Sequence, residues 1–225
     1  MDNKLTVKFW GTRGAFPFYQ ESHQYLGGDT SAIEVRLNND RIFIDGGSGL
    51  NYPKESDEDE ILLLSHCHLD HIIGLPYFLT KKKKGLVTII SGKSAHETSI
   101  EDKLRTIFGN VAFPVTLETI HHQIAYKYLD VGEWIQQGSW LISIHPLNHP
   151  GNATGFRLRH LDDPHEIVYL VDHEHGSALD QQLIDFADNA DLLIWDGCYN
   201  DKDLKVVKGF GHSSWEQGLW FQDQS

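Results

Sequence analysis

The sequence predicts an α/β fold of two mixed sheets with helices outside them, and three observations lead there. Strand-like runs rich in β-branched and aromatic residues clearly outnumber helical ones. Many of these runs are bounded by Gly, Asn, Asp or Pro, which punctuate strands. The early runs follow one another too closely for βαβ crossovers, so a doubly wound parallel sheet is excluded.

In chain order, the strand candidates begin with residues 5–10, 31–37, 41–45, 61–65 and 86–90. They continue with 124–129, 140–145, 155–160, 166–171 and 191–196. Helices are expected over 72–79, 95–108 and 178–188, and in a segment opening after Ser213. There, Ser213 and Ser214 offer N-cap hydroxyls. Neither an internal repeat nor a linker stands out, so residues 1–225 are expected to form a single domain.

Composition narrows the function classes. At 40% hydrophobic and 11% aromatic, 225 residues can bury a sizeable core. No apolar window of about 18 residues occurs, so no membrane span is expected. The opening "MDNKLTVKFW" lacks a basic region followed by an apolar one, so no signal peptide is expected and a cytoplasmic home follows by default. Cys67 and Cys198 lie outside any C-x-x-C and are expected to be reduced bystanders. A net charge of −13 argues against an extended nucleic-acid-binding surface. "ESDEDE" (55–60) reads as a solvated acidic loop. "KKKK" (81–84) reads best as an exposed turn, with an anion-attracting rim as the functional alternative.

The chemistry concentrates in "LLLSHCHLDHIIGL", residues 62–75. An apolar run stops at Ser65, and within six residues come His66, His68, Asp70 and His71. H-x-H puts two imidazoles on one side of an extended segment. Asp70 and His71 then reach a second point nearby. Nitrogen and oxygen donors suit Zn²⁺, with Mn²⁺ and Fe also possible. A structural zinc is the competitor, but such sites usually rely on cysteine. Farther on, His149 precedes the Pro150-Gly151 turn and Asp172 ends an alternating strand. His145 is the rival of His149, and Asp45 sits where it could orient a ligand histidine or the motif loop.

His66-x-His68-x-Asp70-His71 after an apolar strand resembles the metallo-β-lactamase superfamily. "FWGTRGAFP", "GGDTSAIEV" and "IFIDGGSGL" are similar to its opening strands, so the likeness runs along nearly the whole chain. "ADLLIWDGCY" and "GFGHSSWEQG" resemble the phosphodiesterase and tRNA 3′-processing branch. The resemblance implies a four-layer αβ/βα sandwich, the metallo-β-lactamase fold. It implies two divalent ions: His66, His68 and His149 on one, Asp70 and His71 on the other, and Asp172 bridging. That family normally adds a late histidine, and no residue in that position is found before Ser225, thirteen residues past His212. Either the chain is shortened or another group substitutes, with His173, His175 or a partner subunit as the candidates. A missing last strand would expose an edge and invite a homodimer.

The chemistry expected of such a site is phosphodiester hydrolysis by a hydroxide held between the metals. His212 is expected to protonate the leaving alkoxide, with Asp196 orienting it. The alternative for His212 is a helix-start histidine beside its serines. A small, cyclic-nucleotide-like phosphodiester is preferred over tRNA, because the chain is acidic and lacks a long inserted arm. Thioester hydrolysis of the glyoxalase II type is the enzymatic alternative. A metal-binding signalling module without turnover is the non-enzymatic one. Lactam hydrolysis is disfavoured by His71.

Overall fold

A computed structural model describes residues 4–21, 25–93, 98–109, 113–121 and 123–225. The chain divides into two compact units, Met1–Tyr128 and Leu129–Ser225.

The first unit is built on six strands: β1 (Thr6–Gly11), β2 (Ala32–Leu37), β3 (Asp40–Ile44), β4 (Glu60–Leu63), β5 (Val87–Gly92) and β6 (Ile124–Leu129). They lie in sequence order across the sheet. β1–β2 and β2–β3 are antiparallel, and β3–β4 and β4–β5 are parallel. β4 reads as unbroken apolar sequence after Glu60 because both of its faces are buried. Phe43, Leu62, Leu64 and Ile89 pack with Leu75, Phe78 and Leu79 from α1 (Leu75–Lys81) and Leu104 from α2 (Ile100–Ile107). The side chain of Cys67 packs against this cluster, and burial pushes its thiol up to about 12.

Helix α1 begins at Leu75 rather than at residue 72. A short 3-10 turn over Leu69–His71 comes first, and Pro76 fits only the opening turn of a helix. α2 starts at Ile100, capped by Ser99, whose hydroxyl accepts from the Asp102 N–H. Part of the expected 95–108 helix lies outside the described residues. A four-residue helix, α3 (Leu117–Ile120), was too short to show a period.

The lysine run is largely not a free cationic rim. Lys81 Nζ donates to the Asn51 carbonyl, and Lys82 Nζ to those of Ser56 and Glu58. Lys82 is buried beside Glu60, which also binds Arg41. One carboxylate thus serves two buried cations and anchors the acidic loop.

The second unit holds β7 (Trp134–Gln137), β8 (Trp140–Leu147), β9 (Ala153–His160), β10 (Glu166–Leu170) and β11 (Leu192–Trp195). The sheet order is β11-β10-β9-β8-β7, antiparallel except for β10–β11. The parallel pair is joined through α4 (Asp180–Ala187). β7 went unread because "WIQQ" is half polar and partly exposed. α5 (Asp201–Leu204) is a single turn capped by Asn200. α6 (Trp215–Gln222) opens with a capping box: Gln217 N–H donates to Ser214 Oγ, and Ser214 N–H to Gln217 Oε1. Phe221 of α6, Leu183 and Ala187 of α4 and Val168 and Leu170 of β10 form this unit's core. Among the described residues, no helix is long and apolar enough to cross a membrane.

Removing the shared carboxylate by Glu60→Gln leaves Arg41 and Lys82 buried without their anion. We expect a loss of about 3–5 kcal/mol, measured as a lower urea midpoint at unchanged slope. A midpoint equal to wild type would show that the two cations need no anion.

Candidate functional site

In each unit, candidate side chains lie where parallel strands end. β3 and β4 are parallel, so Asp45 and the segment from Ser65 onward emerge side by side, joined by Asp45 N–H to Leu63 O at 2.8 Å. β10 and β11 are parallel, so Asp172 and Asp196 emerge together. Diverging chain at the carboxyl ends of parallel strands leaves a crevice that side chains can fill. Asp45 and Asp172 both take left-handed backbone, with φ of 59° and 61°. Aspartate tolerates this conformation better than most residues.

In the first unit, Asp45 is completely buried and organises the histidine motif. Its Oδ1 accepts from Ser65 N–H at 2.9 Å and from Ser65 Oγ at 2.8 Å. Its Oδ2 accepts from His71 Nδ1 at 2.7 Å. Proton accounting then fixes a second ring. The single hydroxyl proton of Ser65 goes to Asp45, so its contact to His66 Nδ1 at 3.0 Å has the imidazole donating. In the neutral rings of His66 and His71, the lone pair is therefore on Nε2. His71 Nε2 faces Asp70 Oδ2 at 3.5 Å. The His66 ring lies 4.5 Å from that of His68 and 4.3 Å from that of His71, centroid to centroid. Asp70 also accepts Ala15 N–H at 2.8 Å. Burial works to raise the Asp70 carboxyl, but the hydrogen bond and charge of His71 and the Ala15 N–H outweigh it and bring it down to about 2. Asp70 is thus a carboxylate throughout the neutral range.

In the second unit, the β8–β9 connection, residues 148–152, carries His149. His149 Nδ1 donates to Gly211 O at 2.8 Å, and its Nε2 faces Asp172 Oδ2 at 3.5 Å. His212 Nδ1 meets Asp196 Oδ2 at 2.7 Å, while Asp196 Oδ1 accepts Cys198 N–H at 3.1 Å. Donor atoms of Asp172, Asp196 and His212 all lie within 4.8 Å of one another. The His149 and His212 rings are 5.5 Å apart, centroid to centroid. His145 is separate: its ring sits 5.5 Å from Phe186 and its Nδ1 contacts Pro146 O.

A beta-lactamase superfamily domain model matches residues 41–223, more than three quarters of the sequence. The chain belongs to the beta-lactamase superfamily. A Ribonuclease Z from Staphylococcus saprophyticus is 24% identical over 216 residues, 91% of this chain. The chain spans 66% of that relative's length. Human tRNase Z, short form, shares 19% identity at a TM-score of 0.69, covering 97% of this chain and 88% of that one. A diphosphatase from the PhnP family shares 16% identity at a TM-score of 0.66, covering 98% and 82%. These structural likenesses show the metallo-β-lactamase α/β fold, two mixed sheets with helices.

Membership in this superfamily implies divalent metal, and the donors present fit one. Two donors on one tetrahedral Zn²⁺ at about 2.0–2.1 Å sit roughly 3.4 Å apart. The His71–Asp70 and His149–Asp172 pairs are each separated by 3.5 Å. In both, a lone pair of a neutral imidazole faces a carboxylate, an arrangement that calls for a positive charge between them. A divalent ion placed there would be held by both groups.

His173 does not present itself in this way, although donor atoms of His173, His175 and Asp180 lie within 4.8 Å of one another. His173 Nδ1 accepts Asn148 N–H at 3.1 Å, so its proton is on Nε2 and is donated to Asp180 Oδ1 at 3.1 Å. That is the opposite tautomer, with the lone pair already used, and burial lowers its basicity further. His175 Nδ1 lies 3.1 Å from Asp180 Oδ2, with its ring 5.0 Å from that of Trp220. Both histidines belong to a knot around Asp180, which is what sequence proximity to Asp172 could not reveal.

Sequence reading missed Ser65, Asn148, Glu174 and Gly211, which touch the histidine-bearing loops without being donors of the usual kind. Only the glycine left a signal. A Cβ at Gly211, where φ is +85°, would lie 2.1 Å from His149 Nδ1.

Asp45→Asn keeps the shape but turns an amide NH₂ toward His71, so Nδ1 must accept and the proton moves to Nε2. Zinc affinity, measured by chelator competition, is expected to fall roughly 10–100-fold with unchanged far-UV dichroism. An affinity equal to wild type would show that Asp45 does not set the tautomer.

Proposed function

We propose that this chain is a metal-dependent hydrolase of phosphodiester bonds. One observation carries the choice of bond: the imidazole of His212, held at Nδ1 by Asp196 at 2.7 Å, close to Asp172. A thiolate, with a parent pKa of about 8.5, leaves without help, whereas an alkoxide needs a proton as it departs. A carboxylate-held imidazole is therefore a feature that phosphodiester chemistry uses and thioester chemistry does not require.

In this reading, His66, His68, Asp70, His71, His149 and Asp172 are the metal donors, and Zn²⁺ is the preferred ion. When bound, divalent metal supplies Lewis acidity and lowers the pKa of a coordinated water. The rest falls to the protein. Ser65, Asp45 and Gly211 O fix the ring orientations of His66, His71 and His149 through Nδ1. Asp196 holds His212 so that its Nε2 proton is the one transferred to the leaving oxygen, and stabilises the imidazolium before transfer. The family match runs across both units, which supports reading residues 1–225 as one functional domain.

The substrate is proposed to be a small phosphodiester. The net charge of −13 and the use of Lys81 and Lys82 on backbone carbonyls support this over a nucleic-acid track. An RNA 3′ end is the second reading, favoured by the relative named Ribonuclease Z. Cys67 and Cys198 form no disulfide, which supports a reducing, cytoplasmic location.

Wild-type protein loaded with Zn²⁺ or Mn²⁺ is expected to hold close to two metals per chain and to hydrolyse bis(p-nitrophenyl) phosphate. One metal or none, with no turnover, would favour the signalling module. Faster cleavage of a 3′-extended tRNA than of small diesters would replace the substrate class. His68→Ala should abolish turnover with little loss of fold, since His68 is exposed; an unaltered rate would retire the metal mechanism. His212→Ala should slow alkoxide leaving groups roughly 100-fold or more while sparing p-nitrophenolate, and equal slowing of both would remove His212 from the acid role.

A further inference from the structure

We propose that Glu174 is a positioning residue that sets His149 and His212 together, through a single carboxylate oxygen. The inference rests on the roles given above to those two histidines. Glu174 Oε2 accepts Gly209 N–H at 2.8 Å and Gly211 N–H at 3.0 Å. Gly211 O in turn accepts the Nδ1 proton of His149, and the next residue is His212.

The main chain of Glu174 closes the circuit from the other side. Its N–H donates to Asn148 O at 2.8 Å, and its carbonyl accepts Asn148 Nδ2 at 2.9 Å. His149 is therefore gripped twice by the same residue: at its backbone neighbour through Asn148 and at its ring through Gly211. Ser213 reinforces the junction, with its hydroxyl donating to His173 O and accepting His175 N–H at 3.1 Å. The segment 173–175 thus clamps both loops, and Glu174 contributes the carboxylate that accepts the Gly209 and Gly211 amides.

Glycine at 211 is what allows the clamp to act on chemistry. Its left-handed backbone turns the carbonyl onto His149, and the lack of a Cβ leaves room for the ring. Without the Oε2 acceptor, two amides lose their partner and the 209–211 turn is free to rotate. The carbonyl that fixes the His149 tautomer then moves, and His212 moves with it.

The test compares Glu174→Gln, Glu174→Ala and Glu174→Asp in the full chain. Glutamine retains an oxygen that can accept both amides, whereas alanine has none and aspartate withdraws its oxygen by one methylene. Zinc affinity by chelator competition is expected to fall roughly 10-fold or more for Ala and Asp, with Gln staying within about threefold of wild type. In turnover, Ala and Asp should raise the discrimination against alkoxide relative to p-nitrophenolate leaving groups by roughly 10-fold or more, again rescued by Gln. If the alanine variant does not fold, the aspartate variant decides. Zinc affinity equal to wild type in a folded Ala or Asp variant overturns the proposal, as does an equal loss in all three. If wild-type protein cleaves no phosphodiester, the functional reading fails, and the zinc affinities alone decide whether Glu174 positions His149.

Discussion

A single constraint underlies the chemistry of both units: an imidazole becomes useful when one of its nitrogens is committed. His66 gives its Nδ1 proton to Ser65, His71 to Asp45 and His149 to a backbone carbonyl. His212 commits Nδ1 to Asp196. Each commitment chooses the tautomer, fixes the ring plane and puts the opposite nitrogen on duty. Histidines 173 and 149 show what the choice decides. They are neighbours in the same unit, but His173 accepts at Nδ1 where His149 donates. One is thereby spent on structure and the other is equipped to bind a cation.

The partners that impose these commitments are delivered by strand direction. Antiparallel pairing makes up most of the second sheet, yet Asp45 and the His66–His71 segment lie beyond β3–β4, and Asp172 and Asp196 beyond β10–β11, where neighbouring strands run the same way. Parallel neighbours release their chains at the same edge, so Asp45 can meet Ser65 across 20 residues of sequence and Asp172 can approach Asp196. Left-handed backbone at Asp45 and Asp172 turns each carboxylate off its strand. The apolar faces of β3, β4 and β10 hold those strand ends rigidly.

Charge is distributed on a similar logic. The chain is strongly acidic, yet its carboxylates near the histidines are individually occupied. Asp45, Asp70, Asp196 and Glu174 all accept from N–H or O–H groups. Such acceptors hold the carboxylate form and limit its movement. Lys81 and Lys82, which look like a basic patch in one dimension, are consumed by carbonyls of neighbouring loops. A run of like charge in sequence therefore says little about the field a surface presents.

The sequence by itself determined most of the strands and the family, and it nominated the candidate donor residues. Burial repeats along a strand, and metal-ligating residues must cluster at an apolar strand's end to be useful; both leave a one-dimensional trace. It overlooked β7, α3 and α5, which are too short or too polar to show a period, and began α1 three residues early because a 3-10 turn mimics a helical start. Only the tertiary structure decided which histidine is which. The tautomer of His149 depends on a carbonyl 62 residues away, and that carbonyl depends on Glu174. Hydrogen bonds between remote segments obey no period, so neither composition nor spacing records them until the chain has folded.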